Sequence, residues 1–218
     1  MNPPVFFPVC LRECLRGVTV TLILSCVTPE YVFQVSDGRL TWLNGPQAGQ
    51  VIEDDRDKAV LVDGRFAFGY TGLAEVGSLR TDDWLSSIVA HSGSTDMSKI
   101  SLAIRDKATE AFRSIRLPAD LKGHAFQGVG WSFDKAYCGA VPTVITVHNI
   151  IGKNWQWLPR ARNAFARDVK FFPNLPDGFV LMSVGQEISV VARDTLPLWR
   201  PCASRDWCRF ERRSVGQS

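Results

Sequence analysis

Residues 21–41, TLILSCVTPEYVFQVSDGRLT, and residues 57–77, DKAVLVDGRFAFGYTGLAEVG, carry the pattern from which the fold is read. In the first stretch a β-branched, apolar run over residues 18–27 reads as a buried strand. Thr28-Pro29-Glu30 makes a turn, and residues 31–36 alternate as a second strand. Asp37-Gly38 then leads into the short stretch Arg39–Leu43, and residues 44–57 read as a polar, Gly-containing loop. In the second stretch Lys58–Asp63 and Arg65–Tyr70 flank an Asp-Gly pair, the strongest short-range signal for a β-hairpin. Thr71-Gly72 closes its second arm.

Working outward, two helices follow. Thr81 is expected as the N-cap of the first, with Asp82 and Asp83 in the favourable first turn and Trp84, Leu85, Ile88 and Val89 at helical spacing. Asp96 caps the second, where Ile100, Ala103, Ile104, Ala108, Ala111, Phe112 and Ile115 form one apolar stripe and Pro118 ends it. Strands return at 125–131, 143–149, 164–171 and 179–184. Gly185 opens a turn, residues 187–196 a further helix, and Pro197 and Pro201 break the pattern. Strands in local hairpins with helices set apart from them imply an α+β fold.

The chain has 218 residues, 45% of them hydrophobic and 22% charged, as an ordinary globular domain does. No apolar run reaches the roughly 18 residues of a spanning helix. The net charge of +3 lies wholly in residues 200–218, where five arginines face Asp206 and Glu211. A nucleic-acid binder carries its basic patch on the folded domain, so no nucleic-acid partner is expected, and no membrane. The six cysteines include no CxxC pair and no zinc-like spacing with His, which suits free thiols in a reducing cytoplasm. The first 17 residues make a poor signal peptide, because Pro8 and Arg12 interrupt their apolar run.

The two opening stretches resemble the β-type proteasome subunits and their bacterial relatives, which are N-terminal-nucleophile (Ntn) hydrolases. In that family a threonine opens the first strand, an acidic residue ends the second, a lysine begins the third and a glycine ends the fourth. Those places fall here on Thr21, Asp37, Lys58 and Gly72, with 16 residues from the first to the second and 14 from the third to the fourth. The interval from Asp37 to Lys58 is longer than usual, the surplus falling in the polar loop. The resemblance implies a four-layer αββα sandwich of antiparallel sheets and an amide- or peptide-bond hydrolase of the threonine type, without metal or cofactor. It also implies the roles. The Thr21 hydroxyl is the nucleophile, and its own α-amine, with a pKa of about 7.7–8.0, is the base. Lys58 favours loss of the proton, Asp37 keeps Lys58 charged and aimed, and the Gly72 N–H faces the oxyanion.

Such a base requires a free amine on Thr21, so residues 1–20 are expected as an extension outside the mature protein, for example through a start at Val20. The family's self-cleaving members carry Gly before the threonine; here it is Val20. Thr19 is a rival nucleophile that fits the spacing less well. Residues 21–199 form the expected domain, and 200–218 an irregular basic tail. With Gln186 where the family often has Ser, and few residues beyond, the sandwich is expected to be incomplete at its C-terminal end. The alternatives are a non-catalytic assembly or binding subunit of the same fold and a truncated, inactive product. A homo-oligomer is plausible by analogy. Cys26 reads as a small buried apolar residue, His91, His124 and His148 as scattered residues without special roles, and Asn154–Trp157 as packing on a sheet edge.

Overall fold

The computed structural model describes residues 22–28, 30–42, 46–47, 49–76, 78–134, 139–152, 158–173 and 180–184. The expected N-terminal extension, the expected nucleophile Thr21, the Asn154–Trp157 patch, the expected helix at 187–196 and the basic tail therefore lie outside the described residues.

The element order is β1 (Ile23–Val27), β2 (Val32–Ser36), β3 (Leu40–Thr41), β4 (Val51–Glu53), β5 (Ala59–Val62), β6 (Phe66–Thr71), β7 (Glu75–Val76), β8 (Leu79–Arg80), α1 (Thr81–His91), α2 (Met97–Ser114), β9 (Ala125–Asp134), β10 (Gly139–His148), β11 (Ala166–Phe171) and β12 (Val180–Val184). Every strand pair among the described residues is antiparallel, and the protein is of the α+β class. A five-stranded sheet has the order β11-β10-β9-β6-β5, and a three-stranded sheet the order β12-β1-β2. Two short pairs, β3-β4 and β7-β8, complete the ladders.

Alternation along the strands sets the layers. Phe66, Phe68 and Tyr70 of β6, Phe126 of β9 and Ile145 and Val147 of β10 share one buried cluster with Leu85, Ile100, Ile104 and Phe112 of the helices. The intervening residues face the three-stranded sheet, where Val129 and Val144 meet Val27. The described layers are therefore helices, sheet and sheet. The inter-sheet layer is not wholly apolar. The Ser25 hydroxyl donates to Gln127 Oε1 at 2.9 Å, and Gln34 Nε2 donates to Ser25 Oγ at 3.0 Å and to the Gln127 carbonyl at 2.9 Å. The two bonds to Gln127 cross between the sheets, from strands far apart in sequence, so this polar seam pins the register of one sheet on the other.

Local chemistry explains the element ends. Asp63 and Gly64, both at positive φ (50° and 64°), form the tight turn expected of an Asp-Gly pair. Asp96 accepts a hydrogen bond from the Ser98 N–H at 2.8 Å and caps α2. Thr81 does not cap α1. The residue before the helix is Arg80, which makes no side-chain cap bond, and Thr81 is fully buried and donates to the Leu73 carbonyl at 2.7 Å. Thr81 is the first residue inside the helix rather than the residue before it, and its hydroxyl is turned to the Leu73 carbonyl in the core. The polar loop 44–57 also contains more order than its composition suggests, because β4 pairs with β3. No helix among the described residues is long and apolar enough to cross a membrane.

Candidate functional site

The strand ends bring Asp37 and Lys58 together. Asp37 follows β2, and Lys58 precedes β5. The Lys58 ammonium donates to Asp37 Oδ1 at 2.7 Å and also to the Arg39 carbonyl. The Lys58 side chain is fully buried, while Asp37 keeps 35% of its side chain in solvent. Burial pulls the Lys58 ammonium below the usual lysine value and Arg56 adds to that pull, whereas Asp37 opposes it. The pair is thus a partly desolvated charge held by two acceptors, not a solvated strand end.

The same carboxylate reaches the start of β1. Its Oδ2 accepts from the Leu22 N–H at 2.8 Å, and the Asp37 N–H donates to the Leu22 carbonyl at 3.1 Å. Asp37 therefore links the lysine on one side to the backbone next to Thr21 in the chain on the other. Thr21 itself lies outside the described residues. Lys58 faces Tyr70 across the β5–β6 ladder, the Tyr70 N–H donating to the Lys58 carbonyl at 3.1 Å, and Gly72 lies two residues further along.

Gly72 has φ of +117°, in the region that favours glycine. A Cβ there would lie 2.5 Å from the Gly123 carbonyl oxygen and 2.6 Å from His124 Nδ1. Gly72→Ala is therefore expected to cost about 2 kcal/mol, through backbone strain and collision with backbone atoms that have no room to retreat. A urea midpoint unchanged from wild type would contradict the tight packing at this turn.

Residues that sequence reasoning passed over complete the surroundings. Arg56 falls in the stretch 44–57 expected as a polar, Gly-containing loop, yet it is 8% exposed. Its guanidinium donates to Asp82 Oδ1 at 2.9 Å and to Glu53 Oε2 at 3.3 Å, and its N–H to the Gly38 carbonyl at 3.0 Å. It thereby ties the Asp37-Gly38 turn to the first turn of α1. Nearby, burial pushes the Tyr70 phenol up to about 12, which keeps it protonated and excludes it as a base. His148 Nε2 lies 2.6 Å from Asp168 Oδ2, on the far strands β10 and β11. Cys26 is 5% exposed and its thiol is raised by burial, as a packing residue would be.

A cleft of about 830 Å³ opens among Tyr31, Phe33, Leu61, Arg65, Trp131 and Phe133, and its lining includes none of Asp37, Lys58 and Gly72. Among the described residues no cluster of His, Cys, Asp and Glu could hold a metal ion. No family model matches the chain, and comparison with curated proteins gives no match.

Proposed function

We propose that this chain is a proteasome-like Ntn hydrolase that cleaves an amide or peptide bond with Thr21 as nucleophile. The observation that carries the reading is the two-sided use of Asp37, which binds the buried Lys58 ammonium with one oxygen and the Leu22 N–H with the other. A lysine rarely gives up its hydration in a strand end without a task for its charge.

In this reading the Thr21 α-amine takes the hydroxyl proton, and Oγ attacks the scissile carbonyl carbon. Lys58 contributes a fixed positive charge that favours the alkoxide. The Gly72 N–H donates to the oxyanion, a placement that can be worth about 3 kcal/mol. Collapse of the tetrahedral intermediate breaks the C–N bond, and the proton held on the α-amine leaves with the departing amine. Water, deprotonated by the same amine, then hydrolyses the Thr21 ester. The fourth layer of the sandwich belongs to the same proposal. It is supported by Cys26, buried on the face of β1 opposite the five-stranded sheet, although Val35 on that face is 54% exposed. The reaction needs no cofactor, its substrate is a peptide or amide, and a homo-oligomer in the cytoplasm fits the family.

The test is labelling by an electrophile that closes a ring with an N-terminal amino alcohol, read by intact mass. The native protein should begin at Thr21 and take up one equivalent, and Thr21→Ala should take up none while keeping its circular dichroism. A native protein that retains Met1 and resists labelling overturns the reading. It would favour a non-catalytic assembly or binding subunit of the same fold, for which Val20 in place of the family's self-cleaving Gly already speaks.

A further inference from the structure

His124 precedes β9 and is fully buried, with its ring boxed by aromatic neighbours. Ring centroids lie 6.0 Å away for Tyr70, 5.1 Å for Phe112 and 4.5 Å for Phe126. Its backbone is pinned as firmly. The His124 N–H donates to Asn149 Oδ1 at 2.8 Å, the Asn149 N–H donates to the His124 carbonyl at 3.2 Å, and Asn149 Nδ2 donates to the Lys122 carbonyl at 3.0 Å. A ring fixed on both counts is a rigid reference point.

The reference point meets the turn after β6 in two ways. The Leu73 N–H donates to His124 Nδ1 at 3.0 Å, and that same nitrogen would lie 2.6 Å from a Cβ placed on Gly72. From the other side Thr81 clamps the turn, through its hydroxyl on the Leu73 carbonyl at 2.7 Å and its N–H on the Ala74 carbonyl at 2.9 Å. The peptide that joins Gly72 to Leu73 is thus held by a side-chain acceptor on its N–H and a hydroxyl donor just beyond it. Rotation of that peptide would change ψ of Gly72 and φ of Leu73, so the hold fixes the turn immediately after the Gly72 N–H.

We propose that His124 is a positioning residue for the candidate site, its unprotonated Nδ1 holding the Leu73 N–H so that the Gly72 N–H is preset as an anion donor. The donor role of Gly72 rests on the hydrolase reading above; the hold on the turn does not. An acceptor at Nδ1 places the ring proton on Nε2. Burial drives the imidazole down to about 3, so this arrangement persists through the neutral range.

A ring that served packing alone makes the opposite forecast for two substitutions, which gives the test. His124→Phe keeps an aromatic ring in the box and removes the acceptor. His124→Asn removes the ring and keeps an acceptor atom at the same distance along the side chain. Hydrogen–deuterium exchange of the segment 71–75 should be about tenfold faster or more in His124→Phe, with α2 and β10 still protected, and close to wild type in His124→Asn. Wild-type exchange at 71–75 in His124→Phe overturns the proposal. Because His124→Asn leaves a cavity and can fail to fold, a second measurement on the unaltered protein stands beside it. Nitrogen shifts of the His124 ring should report the Nε2–H tautomer, unchanged from pH 8 to pH 5; an Nδ1–H tautomer overturns the proposal. In the labelling assay His124→Phe should slow acylation of Thr21 by tenfold or more while leaving half-saturation by the electrophile unchanged. If the wild-type chain is not labelled at all, the hydrolase reading fails, and exchange and tautomer still decide whether His124 holds the turn.

Discussion

Lys58→Met is expected to abolish acylation of Thr21 and to lower stability by about 2–3 kcal/mol. Methionine keeps most of the stem volume in a pocket where the lysine side chain is fully buried, so packing changes little. What disappears is the ammonium, and with it the donor to Asp37 Oδ1 and to the Arg39 carbonyl. Removing one partner of a buried ion pair costs about 3–5 kcal/mol. Asp37 remains 35% exposed and can be solvated, which places the cost below that range. The effect on chemistry should be larger than the effect on folding, because no other ammonium among the described residues bonds Asp37. Urea denaturation and labelling, run side by side, separate the two. Labelling retained at the wild-type rate would remove Lys58 from the mechanism. Asp37→Asn is the companion variant. It leaves the lysine charge buried without its carboxylate and keeps a carbonyl oxygen for the Leu22 N–H, so it should impair rate without freeing the start of β1.

The second large effect is acid sensitivity set by His124. The imidazole titrates near its ordinary 6.5 in the unfolded chain and at about 3 in the folded one, because burial disfavours its charged form. Between those values the unfolded chain binds the extra proton, so stability rises with pH across the window. The contribution is complete above pH 6.5, declines as pH falls, and is gone near pH 3. From pH 7 to pH 4 the loss is about 3 kcal/mol on this account. His148 adds in the same sense: burial lowers it, although its bond to Asp168 works the other way. The check is the urea-derived stability of wild type and His124→Phe at pH 7 and pH 4. The variant should lose markedly less on acidification. Parallel losses in the two proteins would mean that other groups govern the acid response.

Much of this molecule can be read from local pattern, and the parts that cannot share a cause. The run from Ile23 to Val27, the Asp63-Gly64 turn and the apolar stripe of α2 each announce themselves through neighbours close in the chain, and each forms where expected. Asp37 and Lys58 were paired by resemblance, at 21 residues apart, and they meet. Arg56 could not be singled out in the same way. Amid Glu53, Asp54, Asp55 and Asp57 it looks like one more solvated charge, and the carboxylate that draws it inward, Asp82, belongs to a helix 26 residues away. Thr81 was assigned to the helix end because a threonine before two aspartates is a common cap; its actual acceptor, the Leu73 carbonyl, is fixed only by how β7 and β8 fold back. His124 looked ordinary since a lone histidine before a strand has no periodicity to betray it. Its meaning appears only when Gly72, 52 positions earlier, packs against it. Composition and period report which face is wet, whereas polar partners within the core are a property of topology.

The pairing of β1 with β12 has a consequence for biosynthesis. Ile23 opposes Val184, so the middle strand of the smaller sheet gains its second neighbour only from the far end of the described chain. The strands β5, β6, β9, β10 and β11, together with both helices, are all translated before β12. A nascent chain can assemble that half around its aromatic centre while the β1–β2 arm, already synthesised, still lacks β12. Closing so long a loop makes the last step slow. The ammonium–carboxylate contact can form early, but the strand that follows residue 21 acquires its full support only once β12 has been made.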